Sequence, residues 1–341
     1  MKIASSGETY SKRAISTVLL LALACAVGAQ TSVVGYYEIC NDSPTTGVPQ
    51  LRGACALDLS DTEILAANQL TGTITIHQLG DPTALDAIIL VPTMGPPYHN
   101  GPRGVVFYQG ARDGRPDSVI ICTYDGLLCT WNARAQAKLQ AVIQVNHFAL
   151  GARYVALDIG GGTPVKPNIY VANEGAGQIE QYTHSWRPVR SFRDPGLSRG
   201  FVPHALFVSG DRVYAGWGYV GGDSSQFPQS YVSVFDLTGQ LLRRFPLGIF
   251  QSFFPLGMAI TPPHFGDRSQ VLAVCEATRV TFWDPNTGTF LGPLREQGPD
   301  SPPMFLDGIT NLKSDGDSRL YFTKSVQSEA DGVIGFLQVQ P

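Results

Sequence analysis

The chain has 341 residues, 43% of them hydrophobic and only 15% charged, and a formal charge of −4 from 24 Lys plus Arg against 28 Asp plus Glu. That much apolar content excludes a disordered chain, and the missing basic excess excludes charge-driven nucleic-acid binding. With 37 Gly and 24 Pro, turns are frequent, and a length that could suggest two domains also suits one large all-β domain.

Lys2, Lys12 and Arg13 precede an apolar run from Ile15 to Val27. Val27 and Ala29 stand at the −3 and −1 positions of a cut before Gln30, the layout of a secretory signal peptide over residues 1–29. The run is shorter than the ~20 residues a membrane helix requires, and no later segment is long and apolar enough to span a bilayer. A secreted, extracellular chain without a transmembrane segment is expected, with residues 30–341 as one domain.

Beyond residue 29 the cysteines are Cys40, Cys55, Cys122, Cys129 and Cys275, an odd number. Ser118 to Tyr124 reads as a strand, Asp125-Gly126 as a two-residue hairpin turn and Leu127 to Trp131 as the returning strand. That register opposes Cys122 to Cys129, as either a cross-strand disulfide or two neighbouring thiols. Cys40 and Cys55 form a second candidate pair, which leaves Cys275 as a small core hydrophobe.

A small residue followed by an apolar strand recurs along the rest of the chain. The anchors are Gly53, Gly104, Tyr154-Val155-Ala156, Ala205, Gly257 and Gly308, spaced by 50 to 52 residues. A trailing marker accompanies them: His77-Gln78, Trp131-Asn132, Tyr182-Thr183, Phe235-Asp236, Trp283-Asp284 and Phe336. Helical periodicity is absent after residue 30. Six units of about 50 residues, each reading as four short strands, predict an all-β, six-bladed β-propeller with four-stranded antiparallel blades. The blades fall near 53–100, 101–150, 151–201, 202–252, 253–303 and 304–341. An open ring would expose two edges, so Val33 to Cys40 is expected to pair near Val333 to Val339 and close it.

Tyr231-Val-Ser-Val-Phe-Asp-Leu-Thr-Gly-Gln, Phe254-Pro-Leu-Gly-Met-Ala-Ile, Phe282-Trp-Asp-Pro-Asn-Thr-Gly, Leu306-Asp-Gly-Ile and Leu320-Tyr-Phe-Thr resemble an uncharacterised family of secreted six-bladed propellers. That family is itself similar to NHL-repeat and gluconolactonase-type propellers. The resemblance is clearest from Gly151 to Val339, departs at Cys275-Glu276-Ala277, and implies fold and secretion without an assigned reaction. Gluconolactonase-type enzymes hold a divalent cation such as Ca²⁺ at the channel mouth with Glu, Asn and Asp. The resemblance implies Asp307 for the Asp, with Asn68, Asn173 and Glu174, at the ends of second strands, as further oxygen donors.

His-Glu-x-x-His, Gly-x-Ser-x-Gly, Cys-x-x-Cys, P-loop and Rossmann patterns are all absent, so no catalytic residue is assigned. The residues just before the anchors are Arg52, Arg103, Arg153, His204, Leu256 and Asp307. Three arginines and a histidine at one level of a ring would make an electropositive mouth suited to carboxylate, sulfate or phosphate. The competing reading pairs each Arg with a neighbouring carboxylate. The insertion from Tyr219 to Gln229 is a second candidate for recognition. The leading expectation is a monomeric, cofactor-free binding or scaffold module for an anionic or carbohydrate-like ligand or a protein partner. The alternative is a metal-dependent lactonase or esterase at the same mouth.

Overall fold

The structure is a computed structural model. It describes residues 36–40 (backbone only), 51, 53–79, 85–96, 100–108, 118–132, 140–163, 166–221, 230–247, 254–276, 278–295, 302–325 and 332–339. The expected signal peptide, Arg52 and residues 222–229 of the long insertion lie outside them. No helix among the described residues is long and apolar enough to cross a membrane.

Five four-stranded antiparallel meanders follow the first strand, and the last three strands form a sixth sheet with it. After β1 (Tyr36–Cys40), blade 1 holds β2 (Ala54–Leu59), β3 (Glu63–Asn68), β4 (Thr73–Gln78) and β5 (Leu85–Leu90). Blade 2 holds β6 (Pro102–Tyr108), β7 (Ser118–Thr123), β8 (Leu127–Asn132) and β9 (Val142–Asn146). Blade 3 holds β10 (Tyr154–Thr163), β11 (Lys166–Asn173), β12 (Gln178–Tyr182) and β13 (Pro188–Phe192). Blade 4 holds β14 (Phe201–Ser209), β15 (Arg212–Tyr219), β16 (Tyr231–Asp236) and β17 (Leu241–Pro246). Blade 5 holds β18 (Pro255–Ile260), β19 (Leu272–Glu276), β20 (Arg279–Trp283) and β21 (Phe290–Pro293). Blade 6 holds β22 (Ile309–Ser314), β23 (Arg319–Ser325) and β24 (Gly332–Gln338), and β1 completes it by pairing antiparallel with β24, Tyr37 opposite Phe336. The chain is a six-bladed β-propeller. Its first strand covers an edge that the last blade would otherwise expose.

Burial explains why the ring forms. The apolar clusters lie in the gaps between blades, not within them. Leu65 and Ile74 of blade 1 pack with Val105 and Ile121 of blade 2. Leu57 and Ile64 pack with Tyr321 and Ile334 of blade 6. Each blade presents alternate side chains to its two neighbours, so both faces are covered only when the ring is complete.

All six inner strands carry a β-bulge near their start. The residues just past it are Ala56, Gly104, Ala156, Ala205, Gly257 and Asn311. In blades 2 and 5 the position demands glycine. A Cβ on Gly104 would come within 2.9 Å of the Leu157 backbone nitrogen, and one on Gly257 within 2.6 Å of the Asn311 Cα. This register corrects the sequence alignment in blades 1, 3 and 6. Gly53 (φ +63°) and Gly308 (φ +78°) are turn glycines ahead of the strand, not packing glycines within it. Two physically different glycines look the same in a sequence.

The blade 2 hairpin also differs from expectation. Cys122 lies opposite Leu128 and Ile121 opposite Cys129, so the loop is Tyr124-Asp125-Gly126, one residue longer than a two-residue turn. The Thr123 hydroxyl donates to the Asp125 carboxylate and accepts from the Leu127 N–H at 3.1 Å, and Gly126 takes φ +80°. The added residue turns the two sulfurs to opposite faces of the blade, Cys129 toward blade 1 and Cys122 toward blade 3. Both are free thiols, as are Cys55 and Cys275, so the Cys122–Cys129 disulfide does not form.

Candidate functional site

The six bulge residues stand near the starts of the inner strands, at one end of the ring: Cys55, Arg103, Val155, His204, Leu256 and Thr310, of which Arg103 and Leu256 line the channel. Of the expected set, Arg103 and His204 share this level. Arg153 and Asp307 precede their strands, and Asp307 is exposed.

Arg103 lines the channel. Its guanidinium carbon lies 5.1 Å from the centroid of the Tyr124 ring, and that of Arg153 lies 5.9 Å from the same centroid. The two arginines then part company. Arg153 is neutralised, Nη2 lying 3.4 Å from Glu174 Oε1. Arg103 has no carboxylate partner among the described residues, and its Nε is buried without a hydrogen-bond partner. Such a donor carries a desolvation cost that a bound acceptor would relieve.

His204 sits between Gly218 and Phe254, its ring centroid 4.3 Å from that of Phe254. A Cβ on Gly218 would fall 2.9 Å from His204 Cδ2, so the position tolerates no side chain. Burial first, then the positive charge of Arg103, push the His204 pKa down to about 4. The imidazole is therefore neutral at pH 7, and its Nε2 is also buried without a partner. Cys55, at the same level, donates its thiol to the Pro102 carbonyl at 3.1 Å. Burial raises its pKa to about 11, only partly offset by Arg103, which makes it an inert thiol.

Two of the candidate metal ligands, Asn173 and Glu174, are otherwise engaged. Asn173 Oδ1 accepts the backbone N–H groups of Arg153 (3.2 Å) and Ala176 (3.0 Å), and its amide donates to Glu180 Oε1 at 2.7 Å. Asn68 is fully buried; its amide donates to the Ala66 carbonyl and the Thr75 hydroxyl, and its Oδ1 is buried without a partner. Glu174 is held by Arg153. Among the described residues, no three His, Cys, Asp or Glu side chains gather where one metal ion could sit.

Two polar clusters went unread in the sequence. Beside the mouth, Tyr154 and Tyr182 both donate to Glu180 Oε2, at 3.0 and 2.6 Å, and His147 Nδ1 lies 2.8 Å from the Tyr154 hydroxyl. This network braces the Arg153 strand. Deeper in the channel, Lys313 Nζ lies 2.7 Å from Asp58 Oδ1 and 3.9 Å from Asp158 Oδ1. The free oxygens of the two carboxylates accept N–H groups of the next inner strands, Phe107 (2.7 Å) and Val208 (2.8 Å). The readable signal was a charge inside an apolar strand at the same offset in two repeats: Leu57-Asp58-Leu59 and Leu157-Asp158-Ile159.

No protein-family model and no curated protein matches the chain. Solved structures do match in fold. Hydrazine synthase of Kuenenia stuttgartiensis superposes with a TM-score of 0.55 at 14% identity, over 87% of this chain and 90% of that one. A catalytically inactive virginiamycin B lyase from Staphylococcus aureus, with quinupristin, gives 0.58 at 11% identity, over 89% and 100%. A chain of the mitotic checkpoint complex gives 0.50 at 12% identity, over 87% and 79%. The likeness is one of fold. At these identities propellers share architecture while their sites diverge.

Proposed function

We propose that this chain is a secreted, non-catalytic binding module that captures an anionic group at the channel mouth. The observation that carries the reading is the unpartnered pair of buried nitrogens, Arg103 Nε and His204 Nε2, at one level of the ring. A carboxylate, sulfate or phosphate, on a sugar acid or a protein partner, would accept from the guanidinium and from the imidazole N–H. The site holds no visible nucleophile. His204 is poised as a neutral donor and lacks the pKa near 7 that suits a general base. The secreted location rests on the signal-peptide layout, and the resemblance to secreted propellers supports it. The chain is proposed to act as a monomer. A metal-dependent lactonase or esterase has no comparable support, because Asn173 and Glu174 are already engaged by the Arg153 strand.

A thermal-shift panel of sulfate, phosphate, glucuronate and chloride tests this at constant ionic strength. Stabilisation by the oxyanions beyond chloride, abolished in Arg103→Gln, is the expected outcome. Stabilisation by Ca²⁺ or Mn²⁺ instead, with the oxyanions inert, would overturn the reading.

A further inference from the structure

At the other end of the ring a cleft opens between blades 2 and 3, where β6 ends and β11 begins. Its volume is about 150 Å³, and its walls include Tyr108, Trp186, Ser118, Thr130, Asn132 and His184. We propose that this cleft binds a single pyranose ring of a neutral glycan, with Trp186 as the stacking platform.

Size comes first. A cavity of roughly 150 Å³ accommodates one six-membered ring. The lining then selects the kind of ring. Among the described residues, no Asp, Glu, Lys or Arg faces the cleft, which favours an uncharged occupant. Aromatic faces stand beside hydroxyl and amide groups, which suits a ring with one apolar face and hydroxyls on its rim. Thr130 Oγ1 already accepts from Gln144 Nε2 at 2.9 Å, which leaves its own proton to donate.

The internal repeat supplies the independent argument. Trp186 has φ +65°, a left-handed backbone that side chains disfavour. It sits in the hairpin from Thr183 to Arg187, its N–H bonded to the Thr183 carbonyl at 2.9 Å. The same hairpin in blade 4 runs from Asp236 to Gln240 and places Gly239 there, with φ +82° and the matching bond to Asp236 at 3.0 Å. Blade 5 uses Gly288, φ +71°. In blade 4 the glycine is enforced, since a Cβ would meet Phe192 of the preceding blade at 2.6 Å. The residue of blade 2 in the register of Phe192 is the smaller Val145. That exchange opens space; the indole takes part of it and the cleft is what remains. Blade 3 therefore keeps a strained tryptophan where its neighbours keep glycine, the pattern of a residue retained for its side chain.

The test is a ligand-observed NMR titration of the mature chain with methyl glycosides of glucose, galactose, mannose and N-acetylglucosamine. At least one is expected to saturate, with a Kd on the order of 1 mM. Trp186→Gly suits the local backbone, so it should fold and weaken binding tenfold or more. Thr130→Val should weaken it as well, and Arg103→Gln, at the far mouth, should leave it unchanged. The inference fails if no pyranoside saturates, if phenol alone does, or if Trp186→Gly binds as well as the parent.

Discussion

Lys313 of the last blade lies 2.7 Å from Asp58 of the first, across the seam where the ring closes. Burial works against its charge, yet Asp158 and Asp58 together hold its pKa above the usual lysine value. Burial raises the Asp158 pKa, and Lys313 opposes that rise. The three groups tie blades 1, 3 and 6 together through the channel.

Removing the ammonium would leave two buried carboxylates facing each other. Lys313→Met should cost about 3 kcal/mol of stability, near the lower end for breaking a buried pair because the lysine is partly exposed. Adding Asp58→Asn and Asp158→Asn to Lys313→Met should recover much of the loss. Urea unfolding of the single and triple variants checks both; a single variant as stable as the parent would show that the triad holds nothing.

The thiols give a covalent check on register. Burial raises the pKa of Cys129 to about 12 and that of Cys122 well above its ordinary value. Native protein should therefore alkylate slowly at both. Denatured, unreduced protein should alkylate at Cys55, Cys122, Cys129 and Cys275, and a reductant should not shift Tm. Peptide mapping that found Cys122 linked to Cys129 would contradict the hairpin described above.

The same hairpin shows where sequence legibility stops. The repeat was readable because each interblade gap needs an apolar strand at a constant spacing, and Val105 and Met258 report that need directly. The register was not. Asp125-Gly126 fits a two-residue or a three-residue loop equally well, and only the Thr123 hydroxyl bonding across the turn decides between them. Arg103 was readable as a channel-lining residue because Gly104, the residue after it, is a true packing residue. Arg153 was misaligned by the bulge at Val155. The pairing of Arg153 with Glu174, which leaves Arg103 as the uncompensated charge, depends on a loop closing between blades and has no sequence signature.

His204 should make stability fall in acid. Its folded pKa of about 4 lies below the unfolded value near 6.5, so the unfolded chain binds the extra proton between them. Stability is full above about pH 6.5 and is lost as pH falls toward 4, by an amount on the order of 3 kcal/mol. His204→Asn should flatten that limb of a Tm-against-pH profile. A limb of unchanged steepness would place the titrating group elsewhere.

The central claim is that Arg103 and His204 hold one anion together, and linkage makes that measurable. An anion beside His204 must raise its pKa, so proton and anion must bind cooperatively. The most direct measurement is calorimetric titration of sulfate, which keeps its charge across this range, at pH 7 and pH 5 with the parent and Arg103→Gln. The account predicts stoichiometric binding that tightens several-fold at pH 5, with protons taken up, and no binding in the variant. Affinity that ignores pH, or that survives the loss of Arg103, would contradict it.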